Sequence, residues 1–115
     1  MLEKSFAFAI RVVKMCQFLC ESKKEYLLSK QVLLSGTSIG ANIRELELWQ
    51  TTPDFYTNLS VALKEAEGTA YWLELLHEAD YLDENTYKSM SSDCEELIKL
   101  LESSTKTLKT KMVKD

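Results

Sequence analysis

The sequence predicts an all-α protein, an antiparallel up-down-up-down four-helix bundle, and three observations carry that expectation. Apolar residues recur at three- and four-residue spacings in four successive segments. The 115 residues contain one Pro and three Gly, and no segment reads as a strand. The breaks between the segments are short, which makes consecutive helices antiparallel neighbours. At this length one domain covering 1–115, with a single core, is expected.

The first helix is expected over about 5–21, with Phe6, Ala9, Ile10, Val13, Cys16 and Cys20 forming its core face. The polar stretch from Ser22 to Glu25 breaks it. The second is expected over 30–49, with Ser29 as N-cap and Val32, Gly36, Ile39, Ile43 and Leu46 turned inward. Thr52-Pro53-Asp54 reads as the next helix start: a threonine cap, proline at the first helical position and an acid near the positive helix end. That third helix is expected over 53–80, through Phe55, Leu59, Ala62, Leu63, Ala66, Ala70, Leu73 and Leu76. Asp83 caps a fourth, expected over 84–109, which carries Tyr87, Met90, Cys94, Leu97, Leu101 and Leu108 before a flexible basic tail.

Composition narrows the class. A hydrophobic content of 45% and a charged content of 28% are those of an ordinary globular chain. No apolar run approaches the roughly 18 residues of a membrane span. The N-terminus lacks the apolar core and cleavage site of a signal peptide. Three cysteines without paired spacing point to reduced thiols. A soluble, cytoplasmic protein is expected.

The stretch SGTSIGANI from Ser35 to Ile43 places Gly36 and Gly40 one turn apart inside a helix. Glycine there costs about 1 kcal/mol relative to alanine. Both are therefore read as positions where a neighbouring helix approaches closely.

A second set of apolar residues lies away from the assigned core. At 100° per residue, the first helix carries Phe8, Val12, Met15 and Leu19 opposite its core stripe. The second carries Leu34, Ala41 and Leu48, and the third Val61, Gly68, Trp72, Leu75 and Ala79. A surface helix of a monomeric bundle is polar on that side, and apolar patches of this kind mark protein contact. These residues are the expected interface of a homo-oligomer, which a Trp72→Asp substitution is expected to break.

Chemical motifs are scarce. Glu74 and His77 have the Glu-x-x-His spacing of di-iron bundles. Such a site needs two of these motifs, and His77 is the chain's one histidine. Cys16, Cys20 and Cys94 fall in apolar stripes and read as packing residues. SGTSIGANI lacks the lysine and the strand-loop-helix setting of a phosphate-binding loop. No enzyme activity, cofactor, metal, membrane or small-molecule substrate is expected. A net charge of −4 and an isoelectric point near 5.1 weigh against nucleic acid. The charge is uneven, however. Lys106, Lys109, Lys111 and Lys114 make the C-terminus basic, and Arg11 and Lys14 add to the first helix. RNA is the alternative partner, with Arg11, Lys14, Lys106, Lys109 and Lys111 as its contacts.

Four stretches, SFAFAIRVV from Ser5, LSKQVLLSGTSIGANI from Leu28, DFYTNLSVALKEA from Asp54 and YWLELLHEADYL from Tyr71, together resemble the bacterial 23S rRNA-intervening sequence proteins. Members of that family are similar to the accessory variability protein of diversity-generating retroelements, a basic pentameric bundle that partners a reverse transcriptase and its RNA. The resemblance implies a four-helix bundle that assembles as a homopentamer, without known catalysis or cofactor. The family often has arginine where this chain has Leu34, alanine or glycine near Arg44-Glu45-Leu46, and glutamate where it has Gly68. Asn42, Glu45 and Glu65 fit its polar positions. Because Leu34 and Gly68 fall on the outer stripes, a polar contact is expected to have given way to a more apolar interface.

Overall fold

The computed structural model describes residues 1–48 and 51–114 and has four α-helices: α1 (Leu2–Ser22), α2 (Leu27–Glu45), α3 (Thr52–Glu78) and α4 (Glu84–Lys114). A short 3-10 turn, Leu46–Leu48, extends α2. The helices form an up-down-up-down bundle in which each packs along its sequence neighbour, and α1 meets α4 less extensively. The particle measures 52 × 22 × 21 Å. At 1.5 Å per residue, α4 alone is roughly 46 Å long, close to the full length of the molecule.

Local chemistry sets the helix ends, and two expected caps move. Ser29 lies inside α2, where Glu25 accepts from the Ser29 backbone N–H at 2.8 Å and its carbonyl accepts from the Ser29 hydroxyl at 2.9 Å. A carboxylate beside exposed backbone donors also favours the helix dipole, so Glu25 performs the task expected of Ser29. Thr51, rather than Thr52, caps α3, its Oγ1 accepting from the Asp54 N–H at 3.3 Å. Asp83 caps α4 as expected, with the Thr86 N–H donating to Oδ1 at 2.7 Å. The segment expected as a flexible tail is helical through Lys114. The expected extension of the second helix to Trp49 lies outside the described residues.

Two non-glycine residues take the left-handed conformation at helix exits, Lys24 (φ 55°) and Asp80 (φ 68°). At Asp80 the reversal lets the Tyr81 N–H reach the Leu76 carbonyl, and the Asp80 N–H donates to that of His77, so both carbonyls are satisfied at the end of α3.

The core contains the expected faces of α2 and α3: Val32, Ile39, Ile43, Leu59, Ala62, Ala66, Leu73 and Leu76 are buried. From α4 it takes Met90, Cys94, Leu97, Ile98 and Leu101. On α1 the two stripes change places except at Cys16, which is buried as expected. Phe8, Val12, Met15 and Leu19 are buried, whereas Phe6, Ile10 and Val13 face outward with Phe6 53% exposed. The small-residue stretch of α2 decides this. A Cβ on Gly36 would sit 2.9 Å from both Val12 methyl carbons, and one on Gly40 would sit 3.4 Å from Ser5 Oγ. Val12 and Ser5 therefore lie against the glycine notch, and their whole stripe turns inward. Charged residues at Glu3, Lys4, Arg11, Lys14 and Glu21 are opposite a sector that contains both stripes, so periodicity alone could not divide it.

Polar links cross the core between α2 and α3. The fully buried Thr69 hydroxyl lies 2.9 Å from Ser35 Oγ and donates to the Glu65 carbonyl at 2.7 Å. Asn58 donates to Glu45 Oε2 at 3.0 Å and to the Asn42 carbonyl at 3.3 Å. Each buried group is thus matched, and sliding one helix past the other would leave these groups unpaired.

Candidate interaction face

Outward-facing apolar residues concentrate on three helices. On α1 they are Leu2, Phe6, Ile10, Val13 and Phe18; on α2 and the turn that extends it, Leu27, Leu34 and Leu48; on α3, Val61 and Tyr71. Leu34 is 54% and Leu48 77% exposed. Between α1 and α2 this surface dips into a groove of about 620 Å³, floored by Gly40 and Ala41 and walled by Leu2, Phe6, Ala9 and Leu48. Small side chains on both helices, Ser5 and Ala9 of α1 and Gly40 and Ala41 of α2, leave room for it between the larger Leu2, Phe6 and Leu48. Arg44 lies at its rim, the guanidinium 5.5 Å from the Phe6 ring centroid. Glu45 also borders it, with its carboxylate engaged by Asn58.

The residues read from sequence as an interface divide by helix. Leu34, Ala41, Leu48 and Val61 are exposed, and Gly68 and Leu75 are half-buried. Phe8, Val12, Met15 and Leu19 are core residues of this chain and contribute nothing to an outer surface. Trp72 is half-buried against the core, edge-on to Tyr71 with ring centroids 5.1 Å apart. Trp72→Asp would therefore damage the fold as well as any contact. The part of the face that the sequence reading assigned to the core is Phe6, Ala9, Ile10 and Val13. The signal that could have found it is Gly36, whose missing Cβ leaves the space that the Val12 methyl groups enter.

The basic residues are likewise not equivalent. Arg11 pairs with Asp93 and also donates to the Ser89 hydroxyl at 2.8 Å, and Lys4 pairs with Glu96. These links tie α1 to α4 and engage Arg11, read from sequence as a nucleic-acid contact, within the chain. Lys14, Lys106, Lys109 and Lys111 are exposed.

Groups with reactive potential are occupied by structure. His77 stacks on Tyr87 at 4.3 Å and 7°, with Nε2 3.1 Å from Glu84 Oε2, so it fastens the α3–α4 turn. The Lys88 ammonium, 3.4 Å from Oε1, and then the His77 contact hold the Glu84 carboxyl below its usual range. Cys16 donates to the Ser29 carbonyl and Cys94 to the Ala66 carbonyl, each at 3.3 Å. Burial pushes the Cys16 thiol up to about 11 and the Cys94 thiol up to about 12, leaving both protonated and poorly nucleophilic at neutral pH. Among the described residues no three His, Cys, Asp or Glu side chains converge where a metal ion could be held, and no helix is long and apolar enough to cross a membrane.

In the comparison with protein families, the family described as 23S rRNA-intervening sequence protein matches over residues 1–103. The chain belongs to that family. Within the solved structures, this family member is similar to a protein of unknown function from the S23 ribosomal protein family of Bacteroides thetaiotaomicron. The two are 50% identical and superimpose with a TM-score of 0.90, over 91% of this chain and 97% of the other. No curated protein matches it in sequence. The family match ends within α4, before the lysines at 106, 109 and 111.

Proposed function

We propose that this family member is a non-enzymatic, cytoplasmic interaction protein that works as a homo-oligomer, with a ring of five as the form its family resemblance favours. The observation that carries this reading is the apolar face shared by α1, α2 and α3, where Phe6, Ile10, Val13, Leu34, Leu48 and Val61 are all exposed in the single chain. Apolar surface of this kind is stabilised by removal from water, at about 25 cal/mol per Å², and a closed assembly is the simplest way to remove it. The chemistry of the chain agrees: its buried thiols are protonated and its histidine is bound into a helix turn. Native mass spectrometry of the full chain tests the reading. A multiple of 13.2 kDa is expected, fivefold if the resemblance holds, and a monomer at all concentrations would refute it.

A second reading, an RNA-associated accessory protein, is favoured by one feature. Lys106, Lys109 and Lys111 are exposed together on the last turns of α4, and assembly would multiply them. It predicts RNA affinity that falls steeply with salt and weakens when the chain is cut before Lys106. Affinity indifferent to both would remove it.

A further inference from the structure

We infer that the cleft between the α1–α2 and α3–α4 turns binds a small zwitterion of the amino-acid class, its carboxylate facing Lys23, its ammonium facing Asp80 and its apolar side chain on Phe18. The cleft belongs to a single copy, so the inference goes beyond the assembly reading and does not depend on it.

The two turns emerge at the same end of the up-down-up-down bundle. Between them lies a cavity of about 440 Å³, within the range of small-molecule sites, about 300–1,000 Å³. Its floor is apolar: Met15 and Leu82 are buried, and the ring of Phe18 is partly uncovered. Its rim is charged, with Lys23 on one turn and Asp80 and Asp83 on the other. An apolar floor with a few convergent charged groups is how small-molecule sites are commonly built.

The rim charges select the occupant. The Lys23 ammonium reaches over the floor, 6.0 Å from the Phe18 ring centroid. The Asp83 carboxyl is held below its usual value chiefly by the Thr86 backbone N–H, and Lys23 adds to this across the cleft. The two are nonetheless too far apart to form an ion pair, and among the described residues neither Lys23 nor Asp80 has an ion-pair partner. A simple cation entering the cleft would meet Lys23 as a like charge. A simple anion would meet Asp80 and Asp83. A ligand that carries both charges meets each with its opposite, and an amino acid adds an apolar side chain for the floor.

Asp80 itself is the independent observation. It follows the last residue of α3 in the left-handed conformation, φ 68°, at a position where glycine is the usual residue because it bears no side-chain penalty. No hydrogen bond of its carboxylate within the described residues accounts for an aspartate there, whereas its backbone N–H, which glycine would keep, is the group bonded to His77. The carboxylate is therefore retained at the cleft against the backbone's preference.

Titration of the full chain with L-leucine tests this, followed through the backbone amide signals of Lys23 and of residues 80–86 in nuclear magnetic resonance spectra. Saturable shifts centred on those signals are expected. Leucinamide, which lacks the carboxylate, and N-acetyl-leucine, which lacks the ammonium, are each expected to bind about fivefold more weakly, as is L-leucine to Lys23→Met and to Asp80→Gly. Asp80→Gly is also expected to unfold at the same or a higher urea concentration than the wild type, so its weaker binding is not a loss of fold. No saturable shift up to about 10 mM L-leucine, equal binding of the three ligands, or variants that bind like the wild type would overturn the assignment.

Discussion

Replacing Gly36 by alanine adds one methyl group at a point 2.9 Å from both γ carbons of Val12. Two terms oppose each other. Alanine improves helix propensity by about 1 kcal/mol, whereas forcing an extra carbon into a packed core costs about 1–3 kcal/mol. Val12 cannot turn aside easily, since its β-branched side chain is stiff at χ1 in a helix and is fully buried. The expected net effect is a loss of about 1 kcal/mol. Val12→Ala removes both clashing carbons and leaves Val12 Cβ, at 3.3 Å, as the nearest side-chain atom. By itself Val12→Ala destabilises by about 2 kcal/mol, from lost burial and the space left behind. In that background Gly36→Ala keeps its propensity gain and fills part of the space, so it changes sign and stabilises by about 1 kcal/mol. The two substitutions are thus coupled by about 2 kcal/mol, well outside the additivity of distant sites. Urea unfolding of the four proteins at one fixed concentration measures this through the shift in midpoint at constant slope. Gly36→Ala that stabilises the wild type, or strict additivity, would refute the notch.

Three further outcomes follow from other parts of the chain. Lys24→Gly is expected to stabilise by about 1 kcal/mol in urea unfolding, because the left-handed backbone there (φ 55°) carries a side-chain penalty that glycine lacks; a destabilised variant would contradict it. The Asp83 carboxyl is held below its usual value of 3.8 chiefly by the Thr86 backbone donor. Its contribution is complete above that value and lost as pH falls through the lower native one, so Asp83→Asn is expected to flatten the acid side of the stability profile below about pH 4 and leave a parent-like slope only if the cap is unimportant. In the native protein a thiol reagent near neutral pH is expected to modify Cys20 while the buried Cys16 and Cys94 react only on denaturation; peptide mapping that finds Cys94 modified under native conditions would show that its burial is not maintained.

How much was legible before the structure varied by helix. The inward faces of α2 and α3 could be read because each has one dominant apolar stripe: Val32, Ile39 and Ile43 on one, Leu59, Ala62, Ala66, Leu73 and Leu76 on the other, all buried. The Asp83 cap was legible because it is local, a side chain bonding three residues ahead. Ser29 and Thr52 were assigned roles that Glu25 and Thr51 fill, since a run of capping-type residues does not say which one stops the helix. The candidate face was legible on α2 and α3, through Leu34, Leu48 and Val61, and inverted on α1.

The sequence by itself determined four helices, their order and their antiparallel path, because these follow from periodicity and short-range bonding, and it marked Gly36 as a place of close approach. Only the tertiary structure decided which stripe of α1 is core. Phe6, Ile10 and Val13 are as apolar as Phe8, Val12 and Leu19, and burial energy scales with apolar area whichever residue supplies it. The choice came from shape, with Val12 against the Gly36 notch, and from charge, with Arg11 and Lys4 reaching Asp93 and Glu96 on α4. Both are contacts between residues far apart in the chain, whose geometry exists only once the helices have packed.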